Sequence, residues 1–314
     1  MTDAAASLDI SFVSLTWNSA AYVRKCLDSV IAQCSIEGLR FEFMIVDNGS
    51  QDGTVDVVRN YCVRYPDRVR LVTLDRNRGT TYSRNLALKL ARGAVICVLD
   101  SDTEFVSGSF CPVLTLLATH PELGIVAPRL LLPDGSVQHS VKRFPTFLDK
   151  LRKVPRLLTG HKATRHDFYH SFPFGTCTLV DTAISACWFL PADVLTSVGL
   201  LDERIFYSPE DLDYSARIRS AGMHILYYPH LTLIHHTQQI SHRRPYSRLS
   251  LSHLKGLVRY HRKHGGWIVR PAEAPVPWPA GDDLSRIVSG KPRTPPPAVT
   301  PRLSGARTGE TSKP

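Results

Sequence analysis

No stretch of this chain approaches the ~18–20 consecutive apolar residues that a membrane-spanning helix needs. The first nine residues, Met1 to Asp9, carry acids and no base, so a secretory signal is not expected and a cytosolic protein is. Seven cysteines, at 26, 34, 62, 97, 111, 177 and 187, form no C-x-x-C pair, and most stand in apolar surroundings. They read as reduced core thiols rather than disulfides or zinc ligands. There is no G-x-G-x-x-G, which disfavours an ordinary dinucleotide fold, and no G-x-x-x-x-G-K-[ST], which excludes a P-loop. No zinc-finger or RNA-recognition signature accompanies the net charge of +10, so nucleic acid is not expected as a partner. The charge still favours an anionic partner, with nucleotide diphosphates and anionic lipid among the candidates. No internal repeat is present.

What is present is enough apolar side chain for a substantial core. The 314 residues are 43% hydrophobic and 21% charged, which suits one large domain or two small ones. Strand and helix patterns alternate over the first hundred residues. Strands are predicted at Ile10–Thr16, Phe41–Val46, Val69–Leu74 and Val95–Leu99, with helices at Ala20–Gln33, Thr54–Tyr65 and Thr80–Ala91 between them. Such alternation predicts parallel strands joined by right-handed crossovers. After Asp102 the pattern changes. A helix is predicted at Gly108–Thr119, a short strand at Ile125–Ala127 and a turn at Pro133-Asp134-Gly135. Residues 136–185 give no clear pattern. A strand is then predicted at Ser185–Leu190, helices at 191–198 and 209–221, strands at 224–228 and 231–235, and a basic helix at 246–264.

The polar residues gather at strand ends. The most telling run is Ala94–Leu99, apolar and rich in β-branched residues, followed at once by Asp100-Ser101-Asp102. Two carboxylates leaving the carboxyl end of a buried strand suit a hard cation such as Mg²⁺, which takes oxygen ligands and substrate phosphates together. A capped turn beside a solvated acid is the plainer reading of a bare D-x-D. The first strand ends in Thr16-Trp17-Asn18. The second ends in Asp47-Asn48-Gly49-Ser50-Gln51-Asp52-Gly53-Thr54, and the third leads to Asn77-Arg78-Gly79. Along one sheet edge these ends make a single crevice. There Asp47, acceptor-only, suits a base N–H, and Arg84, one turn into the third helix, reaches toward a diphosphate.

Taken together, T-W-N-S, V-D-N-G-S-x-D-G-T, N-R-G-T-x-x-S-R-N and L-D-S-D-T resemble glycosyltransferase family 2, most closely its rhamnosyltransferase-like members. The resemblance covers roughly 9–265. It implies an α/β GT-A (Rossmann-like) fold, with a mixed, mainly parallel sheet flanked by helices in a single catalytic domain. That domain would span 9–265, with a nucleotide-binding half at 9–103 and an acceptor-binding half at 104–265. An N-terminal extension (1–8) and a tail (266–314) would flank it. The tail holds ten of the 22 prolines within its last 44 residues and is expected to be disordered. The resemblance further implies a nucleotide-diphosphate sugar donor, UDP- or dTDP-linked and with rhamnose a candidate sugar, and a divalent metal, Mg²⁺ or Mn²⁺. The implied donor-binding residues are Thr16, Trp17, Asn18, Asp47, Ser50, Asn77, Gly79, Arg84, Asp100 and Ser101. Asp100 and Asp102 are placed on the metal, and His235, of the pair His235-His236, is taken to complete it. An acceptor-pocket histidine is the alternative.

A second constellation lies at Tyr207-Ser208-Pro209-Glu210-Asp211-Leu212-Asp213. Proline and acids suit a helix start, and Asp213 and Arg217 are spaced to pair across one turn. By resemblance, E-D-x-D-x-x-x-R is the acceptor-side motif, with Asp211 the candidate general base beside Glu210. The implied chemistry is attack by an acceptor hydroxyl with inversion, on a glycan, lipid-linked or other acceptor in cell-envelope polysaccharide synthesis. Where the family often has D-W-x-x-G-A, this chain has Asp181-Thr182-Ala183-Ile184-Ser185-Ala186, with Thr for Trp and Ser for Gly. No Q-x-x-R-W follows, so processive polymerisation is not expected. The alternatives are a nucleotide-binding scaffold of the same fold without transfer activity, and a sugar nucleotidyltransferase. The latter would carry a Gly-rich basic loop where Trp17-Asn18-Ser19-Ala20-Ala21 stands. Apolar residues Phe147, Leu148, Leu151, Val154 and Leu158 interleave with Lys150, Arg152, Lys153 and Arg156, and the predicted helix at 246–264 is similar. Either suits peripheral contact with an anionic membrane at its inner face, or ordinary packing with a solvated basic side.

Overall fold

The computed structural model describes residues 8–148, 169, 171–237, 248–267 and 276–277. Its first region runs β1 (Ile10–Thr16), α1 (Val23–Ile36), β2 (Phe41–Asp47), α2 (Thr54–Arg64), β3 (Val69–Thr73), α3 (Thr80–Leu90) and β4 (Val95–Leu99). These elements match the predicted ones to within a few residues. All three pairings among the four strands are parallel, in the order β3-β2-β1-β4. The chain steps outward from β1 to β3, then returns to the other side of β1 as β4. Ligands of open α/β sheets bind at such a reversal, outside the carboxyl ends of the strands. Register places Thr16 beside Asp47 and Asp47 beside Thr73, so the strands end in one row.

The later region is less regular. It contains β5 (Thr103–Ser107), α4 (Cys111–Thr119), β6 (Leu123–Leu131), β7 (Val141–Lys142), β8 (Thr178–Val180), β9 (Thr182–Ala183) and β10 (Cys187–Pro191). Then follow α5 (Val194–Ser197), α6 (Glu210–Ser220), β11 (His224–His235), α7 (Arg248–His264) and β12 (Val276–Pro277). Strand β10 runs antiparallel to both β4 and β6 and so joins the two regions into one sheet. The two strands predicted at 224–228 and 231–235 are one strand, β11, whose register slips between Tyr228 and Thr232. The slip lets a break in the apolar pattern at His230 pass without ending the strand. Strand β5, which the sequence did not signal, follows Asp102 directly and pairs with the end of β11. That pairing closes the D-x-D turn against His235 and His236.

Two apolar layers cover the sheet. Phe12 and Phe43 face α1, α2 and α4 through Leu27, Tyr61 and Leu116. Their sequence neighbours Val13 and Met44 face α3 and α6 through Leu88 and Tyr214. This period-two alternation on β1 and β2 is what a strand buried on both faces requires. Each large apolar side chain so buried contributes about 1.5–3 kcal/mol.

Helix α7 packs on α6 through Tyr260, which clusters with Leu212 and Phe144, while Arg259 and Lys263 pair with Asp202 and Asp213. These contacts account for most of the described face that was read as suited to a membrane; Leu254 remains exposed. No helix among the described residues is long and apolar enough to cross a membrane. The basic amphipathic stretch lies, from 149 onward, outside the described residues. So does the proline-rich tail apart from Gly266, Trp267 and β12, which pairs with β8. All seven cysteines are free thiols; Cys26, Cys34, Cys97 and Cys187 are buried and Cys111 is exposed.

Candidate active site

The end of β4 and the end of β11 meet. The His236 amide donates to the Asp102 carbonyl at 2.8 Å, which brings His235 over the D-x-D turn. His235 Nε2 lies 3.4 Å from an Asp102 carboxylate oxygen and 3.9 Å from one of Asp100. One ligand atom from each of Asp100, Asp102 and His235 falls within 4.8 Å of the others. Two carboxylates and an imidazole nitrogen this close suit a hard or borderline divalent cation, Mg²⁺ or Mn²⁺. Burial pushes the Asp100 carboxyl up, against the pull of Arg84 and with Asp102 adding to the rise. Burial alone would lower His235, but its hydrogen bond to Asp102 and the nearby negative charge raise it. Both shifts favour holding a proton among the acids and the imidazole, the place a cation would take. His235 Nδ1 lies 3.0 Å from the Gln138 side-chain oxygen, which assigns Nδ1–H as donor and leaves Nε2 for the site. His236 instead bonds Glu104 at 2.8 Å and stacks on Tyr22.

Along the row of strand ends, Asp47 is 1% exposed. It accepts from Thr16 Oγ1 at 2.8 Å, from the Ser50 amide at 2.8 Å and from the Ser50 hydroxyl at 2.5 Å. These bonds fix the carboxylate and leave lone-pair capacity on Oδ2. Asn18, at a positive φ of 51°, is exposed and accepts from the Gln51 amide at 2.9 Å. Trp17 is half-buried beside it. Asn77 accepts from the Asn48 side chain and the Gly79 amide, both at 2.9 Å. Ser101 bonds Ser19 at 3.0 Å, tying the D-x-D turn to the end of β1.

Arg84 was expected to reach a diphosphate. It is 3% exposed, and its guanidinium is held by protein acceptors. One terminal nitrogen bonds Asp100 and the Ser185 carbonyl; the other bonds the Ser185 hydroxyl at 2.7 Å and Glu210 at 3.2 Å. A half-buried Asp100 on one side and a buried Glu210 on the other hold the guanidinium, so a phosphate would reach its terminal nitrogens by exchanging one of these partners. Its neighbour Asn85 makes a two-way amide contact with the Leu201 backbone, 2.9 Å in each direction. Thr80 and Thr81 hold the carbonyls of Phe206 and Ile205, each at 2.7 Å. The first turns of α3 therefore grip the loop that leads into α6.

That loop sets Glu210 and Asp211 at the start of α6, where acids suit the free N–H groups and the helix dipole. Pro209 stands just before the helix rather than at its first position. Glu210 is 7% exposed; burial raises its carboxyl, the Asp211 charge adds to this, and Arg84 opposes it. Asp211 is partly buried, and one of its oxygens accepts the Leu212 amide at 2.8 Å. Asp213 turns away from the site to Arg217, Lys263 and His264, at 3.0, 2.7 and 2.8 Å.

The residues predicted from the sequence thus form two groups joined by Arg84. One group is the row of strand ends with the Asp100–Asp102–His235 cluster, and the other is the start of α6. Gln138, Glu104 and Asn85 were missed as participants, and Ser185 was named only as a departure from a family pattern. Gln138 and Ser185 fall in or beside the stretch with no readable pattern, and Asn85 was quoted only as part of a motif.

Comparison with known proteins identifies the family and the fold. The family model described as Glycosyl transferase family 2 matches residues 11–180, more than half of the chain. The chain belongs to glycosyltransferase family 2. Among curated relatives, N-acetylglucosaminyl-diphospho-decaprenol L-rhamnosyltransferase of Mycobacterium tuberculosis is 27% identical over 256 residues, covering 75% of this chain and 78% of that one. Among solved structures, GalNAc-T7 with UDP, GalNAc and Mn²⁺ superposes with a TM-score of 0.62 at 16% identity, over 82% of this chain. The mannosyltransferase PcManGT of Pyrobaculum calidifontis, with GDP-Man and Mn²⁺, gives 0.54 at 18%, again over 82% of this chain. The match covers 48% of the first of those chains and 64% of the second, so this family 2 chain shares their GT-A core and not their full length.

Proposed function

We propose that this glycosyltransferase moves one sugar from a UDP- or dTDP-linked donor, rhamnose among the candidate sugars, to a hydroxyl of a glycan or lipid-linked acceptor, with inversion. The observation that carries the reading is the convergence of Asp100, Asp102 and His235 at the strand reversal, joined through one buried arginine to the carboxylates that open α6. Thr16, Asn18, Asp47 and Ser50 lie where a base and ribose would sit, with Trp17 as an apolar wall. A divalent cation on Asp100, Asp102 and His235 would neutralise the diphosphate as charge gathers on it. Asp211 takes the proton from the acceptor hydroxyl. The freed oxygen pair forms the bond to the anomeric carbon as the bond to the diphosphate oxygen breaks, and the electron pair of that bond leaves with the diphosphate. Acceptor and leaving group lie on opposite faces, so the configuration inverts. Glu210, held by Arg84 and Ser185, positions the helix start. The curated relative, a rhamnosyltransferase named for a lipid-diphosphate sugar, supports the reading of a rhamnosyl donor and a lipid-linked acceptor.

The test is donor turnover. Purified protein is incubated with Mn²⁺ or Mg²⁺ and a panel of UDP-, dTDP- and GDP-sugars, and released nucleoside diphosphate is measured. Metal-dependent release from one donor, lost in Asp102→Ala, supports the proposal. Release that ignores metal and survives Asp102→Ala overturns it.

A further inference from the structure

Ser185 stands where the D-W-x-x-G-A pattern has glycine, so its hydroxyl is a feature of this chain. It lies in the link between β9 and β10, is 7% exposed, and has an equally buried Glu210 on one side and Arg84 on the other. Its hydroxyl accepts from Arg84 at 2.7 Å. The same oxygen donates its one proton to Glu210 at 2.9 Å. A hydroxyl carries a single donor, so this chain of bonds has one direction, from guanidinium to serine to carboxylate. The backbone at this point is held independently: the Ser185 carbonyl accepts from Arg84 at 3.3 Å, and the Ala186 carbonyl accepts the Asp100 amide at 2.9 Å. Removing the hydroxyl therefore leaves the loop in place and isolates the bridge. Glu210 would then keep the longer 3.2 Å contact with Arg84 and its own backbone amide. A buried carboxylate that loses a short donor moves toward whatever donor remains. Asp211 is joined to Glu210 through one peptide and shares the first turn of α6 with it.

We propose that Ser185 is a positioning residue whose hydroxyl clamps Glu210 to Arg84 and thereby fixes the direction in which Asp211 faces the acceptor. The inference rests on the proposed role of Asp211, but the bridge itself stands on geometry alone. It couples the two ends of the site: Arg84 holds Asp100 with one nitrogen and the Ser185–Glu210 pair with the other. The donor end keeps its contacts when the hydroxyl goes, so loss falls on turnover rather than on donor binding.

The experiment compares Ser185→Ala with Ser185→Thr in the full chain. Ser185→Ala is expected to lower kcat about tenfold with donor KM within about twofold, and Ser185→Thr, which keeps the hydroxyl, to recover most of the loss. A purely structural serine would lower the melting temperature of Ser185→Ala and leave kcat of the folded protein unchanged, which overturns the proposal. A second readout needs no turnover. In protein labelled with ¹³C at glutamate carboxyls, the Glu210 signal, assigned by its loss in Glu210→Gln, should move in Ser185→Ala and stay in Ser185→Thr. A signal that does not move in Ser185→Ala refutes the bridge. If the wild type turns over no donor, the proposed function fails while this signal still judges the bridge.

Discussion

The two regions of the molecule hold their polar groups in different ways. In the β1–β4 region polar groups are held partly from within their own turn, Asp47 by Ser50, Asn77 by Gly79 and Asp52 by Thr54, and partly from the neighbouring strand end, Asp47 by Thr16 over 31 positions and Asn77 by Asn48 over 29. Toward α6 and β11 the partners are far apart. Arg84 reaches Ser185 and Glu210 over 101 and 126 positions, Asn85 reaches Leu201 over 116, and His235 reaches Gln138 over 97. The first region is a set of turns on a regular sheet, each tied to its neighbour along the strand-end row. The second is assembled by long-range contacts that exist only once the chain has folded. Side chains of the S-R-N motif, which belong to the first region by sequence, do their holding in the second.

The sharpest test of that contrast is at the start of α6. Asp211→Asn should lower transfer about 10²–10⁴-fold, the usual contribution of a general base, and leave the melting temperature close to wild type. A large fall in stability with intact turnover would place Asp211 in the scaffold instead.

Next in size are substitutions where the regions touch. Gly79, at a φ of 95°, lies against the Phe206 backbone carbonyl and ring, so an added methyl group meets both strain and a clash. Gly79→Ala should cost about 3 kcal/mol, read by chemical denaturation. Glu42 is a smaller case and belongs to the first region. It is 0% exposed and joins Ser11, Arg70 and Arg92. Glu42→Ala should cost about 2 kcal/mol and leave the kinetics of the folded enzyme unchanged. Gly53 has a similar positive φ of 80° but nothing within 4 Å of the added methyl group. Gly53→Ala should therefore cost only about 1 kcal/mol. Equal costs at Gly79 and Gly53 would remove the contact between regions as an explanation.

The smallest effect is in pH. Burial alone would raise Asp213, but His264, Lys263 and Arg217 overcome it and hold the carboxyl below its usual value. Arg204 and Arg259 do the same for Asp202. A carboxyl lowered on folding adds stability above its unfolded pKa, and that stability is lost as pH falls through the folded value. The docking of α7 on α6 should thus weaken between about pH 4 and the folded values below it. Asp213→Asn should flatten this acid limb, measured by denaturation at a series of pH values.

Much of the first region was legible because its signals are local. Alternating apolar runs gave β1–β4 and α1–α3, and the D-N-G-S and L-D-S-D runs marked strand ends that fall in one row. The cluster of Asp100 with Asp102 and His235 followed from a family pattern rather than from spacing, since His235 is distant in sequence. Arg84 was read as able to reach a diphosphate, and its partners Asp100, Ser185 and Glu210 were not foreseen, because a helix position one turn in tells nothing of groups that fold onto it later. Strand β5 was missed because Thr103–Ser107 is half-exposed and follows the acids without a turn signal. Strand β11 was split because His230 interrupts its apolar run, and only the pairing with β6 shows that the strand continues.

On the proposed function, Asp100, Asp102 and His235 form one divalent-cation site that holds the donor diphosphate. Titration of Mn²⁺ followed by electron paramagnetic resonance, with and without UDP or dTDP, tests it most directly. The account predicts one bound Mn²⁺ whose affinity rises with nucleotide and falls about tenfold or more in both Asp102→Ala and His235→Ala. Mn²⁺ binding that is absent, or unchanged in both variants, would contradict it.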